Sequence, residues 1–200
     1  MDKLYMILLC LMIVPILICI KYSRKIKSDV ASSIVKCLIF AIVTILSNGL
    51  SAFSGNETFS YIMEALYRFS FDLMLIYVLQ YSQQYTRVFH EVSPFKKGCF
   101  IIAYLDGILL FLNIIFHNVF TIETVRFPNF DMYHVADKSI IFYFHYVFAY
   151  GLVVCIIASF IIKIIQIPDF YRKKYLPILV LICVITVSKF ICGISEFPID

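Results

Sequence analysis

The chain has 200 residues, of which 62% are hydrophobic and only 15% are charged, and its mean hydropathy is +0.93. Soluble domains are about half apolar and about a quarter charged, so this composition excludes a soluble catalytic domain. The net charge of +4 does not indicate nucleic-acid binding, because the basic residues lie in short segments between apolar runs. The seven cysteines form no CxxC pair, so we expect neither a zinc site nor a disulfide framework.

Six apolar runs follow one another along the chain, and each is long enough to cross a bilayer, which takes about 20 apolar residues. They cover residues 4–20, 34–53, 59–81, 98–116, 140–162 and 176–194. We therefore predict an all-α fold, a polytopic bundle of six transmembrane helices that forms a single domain over residues 1–200. Basic residues follow the first run and no small-residue cleavage site does, so it is predicted to be a retained helix and not a signal peptide. Residues 117–139 are predicted to fold as a cap.

Basic residues between the runs are concentrated on one side of the predicted membrane. Eleven lie after the first, third and fifth runs, and three lie on the opposite side. The eleven are Lys21, Arg24, Lys25, Lys27, Arg87, Lys96, Lys97, Lys163, Arg172, Lys173 and Lys174, and the three are Lys3, Arg126 and Lys138. The positive-inside rule therefore predicts an N-terminus on the outside of the cell (cytoplasmic) membrane, and six spans return the C-terminus to that side.

The third run carries three ionisable residues at intervals of four. Glu64, Arg68 and Asp72 therefore share one face of a helix. Each ionisable residue at the centre of a membrane helix costs about 2.5–3.5 kcal/mol on insertion scales. We therefore predict that this face points into the bundle.

Counting residues from the outer end of each run predicts a polar layer. Asn48, Glu64, His145 and Lys189 each lie about five residues deep, with Asn113 slightly shallower and Arg68 one turn deeper. Asp72 and Asp106 fall at a second common depth near mid-membrane. These eight residues are the candidate ligand-binding residues: Asn48, Glu64, Arg68, Asp72, Asp106, Asn113, His145 and Lys189.

Three interpretations of this layer remain open. It can be a ligand pocket open to the outside, in which Arg68 and Lys189 hold an anionic group and Glu64 or Asp106 a cationic one. It can be a structural network in which Glu64 pairs with Arg68 and Asp72 caps the pair. It can also be a proton or ion relay, since its carboxylates lie at two depths.

The other polar and aromatic features point to no chemistry of their own. Tyr143, Tyr146 and Tyr150 recur at helical spacing and are predicted to be packing and interface residues. His145 has no second His or Cys at ligand spacing, so we expect no metal site and no cofactor. HExxH, Walker and GxSxG motifs are absent from the sequence, and we therefore expect no enzymatic activity in this chain.

Two stretches carry a family resemblance, "FSFDLMLIYVLQYSQQYTR" (69–87) and residues 142–200. They resemble the N-terminal seven-transmembrane sensory region of bacterial histidine kinases and GGDEF diguanylate cyclases. In that family the fifth helix runs into a cytoplasmic P-x-x-Y-R turn, which matches Pro168, Tyr171 and Arg172, and a segment like "FPID" precedes the seventh helix. Lys189 departs from the family pattern late in the sixth helix. The resemblance implies that the 200 residues stop in the loop before a seventh helix.

The predicted function is that of a membrane-embedded sensor or receptor domain in bacterial signal transduction. It would bind a small extracellular ligand and signal to a cytoplasmic kinase or cyclase module on the same polypeptide. Its other predicted partner is membrane lipid, and it could also form a homodimer. The alternative is a six-helix substrate-capture subunit of a vitamin transporter, which has about this length. Its docking faces of small residues are missing from the first run, "LYMILLCLMIVPILICI".

Overall fold

The computed structural model describes residues 2–52, 56–87, 93–127 and 130–194. Six helices and one β-hairpin make up the fold. The helices are α1 (Asp2–Ser23), α2 (Asp29–Ala52), α3 (Glu57–Thr86), α4 (Ser93–Phe116), α5 (Ile140–Gln166) and α6 (Asp169–Ile194), and the strands are β1 (Phe120–Phe127) and β2 (Phe130–Lys138). The described chain is thus all-helical apart from the hairpin, which confirms the all-α class and the six helices. The six membrane spans and the N-terminus on the outside stay predictions.

Each predicted apolar run coincides with one helix, but the helices extend beyond the runs. α2 begins at Asp29 and not at residue 34, and α4 begins at Ser93 and not at residue 98. α3 continues to Thr86, five residues past its apolar run. The reason is that hydropathy marks only the apolar part of a helix, whereas backbone hydrogen bonding continues into its polar ends.

The long connection between α4 and α5 forms an antiparallel hairpin, whereas the sequence predicted only a folded cap. Its register pairs Ile122 with Val135 and Phe127 with Phe130. Asn113 fastens the hairpin to α4, because its Oδ1 accepts from the backbone N–H of Val119 (2.7 Å) and its Nδ2 donates to the carbonyl of Phe120 (2.8 Å). We call the side of the bundle that carries these strands the hairpin end, and the side where α3 ends the far end.

α3 is the central helix, in contact with α2, α4 and α5, while α1 packs on α2 and α6 packs on α5. Two apolar clusters surround it. One lies beneath the hairpin and includes Tyr61, Leu110, Phe120 and Phe142. The other lies toward the far end and is built from buried residues such as Leu73, Ile76, Leu79, Ala149 and Phe160.

Small hydroxyl residues line the interface between α2 and α3. Thr44 and Ser70 are hydrogen-bonded at 3.0 Å, and Ser33 donates to Oε1 of Gln84 at 2.9 Å. Ser60 donates to the carbonyl of Ser51 at 2.8 Å. Such residues allow two helix backbones to approach closely and to bond to each other where no water is present.

The outer surface of the bundle is apolar, whereas its polar residues are inside. On α4 the residues Ala103, Asp106, Leu110 and Asn113 are buried, while the opposite face exposes Ile101, Tyr104, Leu105, Ile108, Leu112 and Ile115. This is the reverse of a water-soluble helix and is typical of a helix in contact with lipid.

Three of the described helices are long and apolar enough to cross a membrane. They contain the segments Asp29–Ser51, Pro94–Phe116 and Ile140–Gln166, and Leu11–Ser23 is a shorter apolar helix. α3, which carries Glu64, Arg68 and Asp72, does not meet the same standard among the described segments. These helices support a membrane protein, as the composition predicted.

Candidate functional site

The first part of the site is an ion pair along α3. Nη2 of Arg68 donates to Oε1 of Glu64 at 2.5 Å, one helical turn away, and both side chains are buried. The second carboxylate oxygen of Glu64 accepts a 3.3 Å hydrogen bond from Ser51 on α2. The spacing of four residues puts the two charges on one face, and burial in a low-dielectric interior makes each of them depend on the other.

Aromatic rings surround the guanidinium of Arg68. Its Cζ lies 4.3 Å from the centroid of Phe142, and 5.7–5.9 Å from those of Tyr67, Phe120 and Tyr146. A cation over aromatic faces is attracted by their quadrupoles, and this attraction strengthens when water is excluded. The rings come from α3, β1 and α5, so the position of Arg68 depends on the hairpin as well as on the bundle.

The second part of the site is a cluster of Asp72, Asp106 and His145, contributed by α3, α4 and α5. Nδ1 of His145 lies 2.7 Å from Oδ2 of Asp106 and 3.2 Å from Oδ2 of Asp72. All three side chains are buried, and their nearest polar atoms lie within 4.8 Å of one another. We call these three residues the Asp–Asp–His cluster.

Hydrogen bonding in this site is incomplete. A single imidazole N–H at Nδ1 can serve only one of two carboxylates well, and the shorter contact is to Asp106. Both oxygens of Asp72 therefore have no hydrogen-bond partner among the described residues, and neither has Nε of Arg68. Buried polar groups are nearly always satisfied, so unsatisfied ones in a charged cluster indicate a site that can accept a further group.

The structure brings together five of the eight predicted site residues: Glu64, Arg68, Asp72, Asp106 and His145. His145 differs from the predicted layering, since it contacts the two deeper aspartates and not Glu64. The depth count assumed that all runs start in one plane. The contacts of His145 with Asp72 and Asp106 show that this assumption does not hold for α5.

The structure does not show the remaining three residues joining this group. Asn113 uses its amide to hold the hairpin. Asn48 is half-buried on α2. Lys189 lies in α6, but its side chain is outside the described part of the chain. The role of these three in ligand binding stays a prediction.

Sequence reasoning missed two features of the site. The aromatic enclosure of Arg68 was not predicted, although Phe142 and Tyr146, one turn apart and on either side of His145, were a visible signal. The Asp–Asp–His cluster was not predicted as a set of possible metal ligands. His145 has no ligand partner nearby in sequence, and its partners come from two other helices.

The five charged side chains of the site are buried. An apolar groove of about 300 Å³ lies between α3 and α4, lined by Phe69, Tyr104, Gly107, Ile108, Phe111 and Leu112. Its lining is apolar, and it contains none of the five charged residues. The buried arrangement can therefore hold ions and protons inside the bundle.

No family model matches the chain, and neither a curated protein nor a solved structure is similar to it. Its function therefore has to be inferred from the buried charged site itself.

Proposed function

We propose that the chain is a membrane-embedded sensor domain in which a small ligand from the outer side rearranges the buried charged site. In this proposal all six helices span the cytoplasmic membrane of a bacterium with the N-terminus outside, and a kinase or cyclase module in the cytoplasm reads the rearrangement. The observation that carries the proposal is the convergence of five ionisable side chains from α3, α4 and α5 inside an apolar bundle.

Such a site suits a sensor because it joins three helices through charge. A ligand shifts a conformational equilibrium only by its difference in affinity for the two states. A ligand could replace Glu64 as the partner of Arg68, or bond to the unpartnered oxygens of Asp72. Either would change the contacts that hold α3 against α5. Ionisable residues in a membrane interior are functional by default, since each is costly to insert.

The proposed topology can be tested by labelling single cysteines in intact cells, in a background without the seven native cysteines. A cysteine at Ser28, between α1 and α2, should be protected from a membrane-impermeant reagent. A cysteine at Glu123 in the hairpin should react. Equal reactivity at the two positions, or the reverse pattern, would contradict the proposed orientation.

The sensor function can be tested by screening small molecules against the membrane-reconstituted chain for ligands that raise its unfolding temperature. The double variant Glu64→Gln/Arg68→Met removes both charges and keeps their approximate volume, so it should fold and lose the response to each true ligand. In cells, the same variant should no longer change kinase phosphorylation or cyclic di-GMP when the ligand is added. If ligand response survives this double substitution, the pair is a structural network and not a sensor site.

The alternative, a substrate-capture subunit of a vitamin transporter, gives a different outcome in a separate experiment. It predicts that the chain co-purifies with an ATPase complex from its native membrane. A chain that does so, with no effect on kinase or cyclase output, would exclude the sensor proposal.

A further inference from the structure

We propose that the Asp–Asp–His cluster binds a divalent transition-metal ion, with Oδ2 of Asp72, Oδ2 of Asp106 and Nδ1 of His145 as its protein ligands. This inference deepens the proposed function by naming a ligand class for part of the charged site. The signalling role of the ion rests on the proposed function, whereas the binding of the ion does not depend on it. It also reverses the expectation from sequence that His145 would have no metal partners.

The first support is the geometry of the three ligand atoms. They lie within 4.8 Å of one another, with the imidazole nitrogen 2.7 and 3.2 Å from the two carboxylate oxygens. Metal–ligand bonds of about 2.0–2.2 Å place the ligands of a tetrahedral ion about 3.3–3.6 Å apart. The nitrogen–oxygen distances of 2.7 and 3.2 Å are within about 1 Å of this spacing.

The second support is the unpartnered carboxylate of Asp72, whose side chain is 0% exposed. Neither of its oxygens accepts a hydrogen bond from a described residue, and Oδ2 faces the same imidazole nitrogen that already bonds to Asp106. This carboxylate therefore lacks a hydrogen-bond donor among the described residues. A metal ion between the three side chains would serve both aspartates at once, which one proton cannot do.

The third support is the balance of charge. The described site holds three carboxylates, Glu64, Asp72 and Asp106, against the single permanent cation of Arg68. Lys138 lies against the ring of Phe142, 5.6 Å from its centroid, and forms no ion pair with these carboxylates. With a neutral imidazole, the described residues of the site carry two uncompensated negative charges, which a divalent ion would neutralise. Uncompensated charge in a low-dielectric interior is strongly unfavourable.

The ligand types indicate the class of metal. Imidazole suits Zn²⁺, Fe²⁺, Ni²⁺ and Cu²⁺, and carboxylates extend the range to Mn²⁺, whereas Mg²⁺ and Ca²⁺ prefer oxygen alone. Three protein ligands leave at least one coordination position open, as in metal sites that bind an exchangeable molecule. The open position would let the ion itself be the signal or hold a small ligand.

The test is direct metal binding to the full chain, purified in detergent, stripped with a chelator and dialysed against Zn²⁺ or Mn²⁺ alone. We expect one ion per chain. Mn²⁺ is the more informative probe because it binds thiolates poorly and so avoids the native cysteines. Asp72→Asn and Asp106→Asn should each weaken binding at least as much as the 10–100-fold that loss of an outer-shell partner costs.

Two further measurements separate a lost ligand from a lost fold. Asp72→Asn keeps the shape of the side chain and removes the unpartnered charge, so without metal it should unfold at or above the temperature of the wild type. Metal should raise the unfolding temperature of the wild type but not of this variant. The control is Glu57→Gln with His117→Asn, which removes an exposed carboxylate and an exposed imidazole and should leave metal binding unchanged.

The proposal is overturned if neither ion binds stoichiometrically, or if binding survives both Asp72→Asn and Asp106→Asn. It fails independently of the sensor function. A chain that binds the ion without any change in kinase or cyclase output keeps the metal site and loses the sensor role. A chain that responds to another ligand but binds no metal keeps the sensor role and loses the metal site.

Discussion

The polar residues in the two halves of α3 have different kinds of partners. Toward the far end, Ser82 and Thr86 donate to the carbonyls of Leu79 and Ser82 in their own helix, and Leu79 and Ile76 pack in an apolar cluster. Toward the hairpin end, Glu64 depends on Ser51 of α2, and Asp72 faces His145 of α5.

This difference shows what each half contributes. A hydroxyl that bonds to its own helix needs no neighbour, so Ser82 and Thr86 would stay hydrogen-bonded in many helix arrangements. The charged residues of the hairpin half also contact α2, α4 and α5, so their surroundings depend on where these helices lie. The far half therefore supplies packing, and the hairpin half specifies one arrangement of helices.

The largest expected effect is at Arg68. Arg68→Ala leaves the Glu64 carboxylate buried without its partner, and breaking a buried pair in this way costs about 3–5 kcal/mol. Unfolding of the reconstituted protein by denaturant would measure the loss. Glu64→Gln/Arg68→Met should recover most of it. A loss below about 1 kcal/mol for Arg68→Ala would contradict the contrast between the two halves.

Asn113→Leu is expected to cost about 2–4 kcal/mol. It leaves the buried N–H of Val119 and the carbonyl of Phe120 without their partner, and each unsatisfied group costs about 1–3 kcal/mol. The loss should be local, so amide hydrogen exchange should accelerate in β1 and β2 but not in the far half of α3. Uniform acceleration across both regions would show that the hairpin and the bundle unfold as one unit.

Gly107→Ala tests how closely α4 approaches α3. An added Cβ would lie 2.5 Å from Cδ2 of Phe69, so the ring must move, and overpacking of this kind costs about 1–3 kcal/mol. Gly151→Ala is the matched control, because its Cβ meets nothing within 4 Å. It should stabilise α5 by about 0.5–1 kcal/mol. Similar effects at both glycines would contradict the close approach.

The smallest effect is expected at the far end of the interface between α2 and α3. Ser33→Ala removes the hydrogen bond to Gln84, and such bonds between membrane helices average about 0.6 kcal/mol. Ser51→Ala removes a donor to the Glu64 carboxylate and should cost more. A larger loss at Ser33 than at Ser51, measured by the same unfolding assay, would reverse the proposed ranking of the two halves.

The helices and the inward face of α3 were predictable, because hydropathy and a spacing of four residues are local properties of the sequence. Glu64 and Arg68 pair as their spacing suggests. The partners of Asp72 were not predictable from one sequence, because they depend on how α4 and α5 are rotated about their axes. Counting residues from the end of a run gives the depth of a side chain in the membrane, but not the rotation of its helix.

The strands were missed for a related reason. Residues 120–127 alternate too weakly between apolar and polar types to stand out beside long apolar helices, and Asn113, which anchors them, belongs to the preceding helix. The stripe of small hydroxyl residues on α2 was visible in the sequence and could have indicated a helix–helix interface. Ser33, Thr44 and Ser51 fall on the face that meets α3, and their spacing alone could have identified it.

The charged stripe of α3 also has a consequence for how the chain is made. Translocon-inserted helices enter the bilayer according to their own hydropathy. Three ionisable residues, at about 2.5–3.5 kcal/mol each, disfavour the insertion of α3 by itself. α2, synthesised immediately before it, offers Ser51 to Glu64 and Thr44 to Ser70. We therefore expect α3 to integrate efficiently only when α2 is still beside it, so the two helices would leave the translocon together as an antiparallel pair.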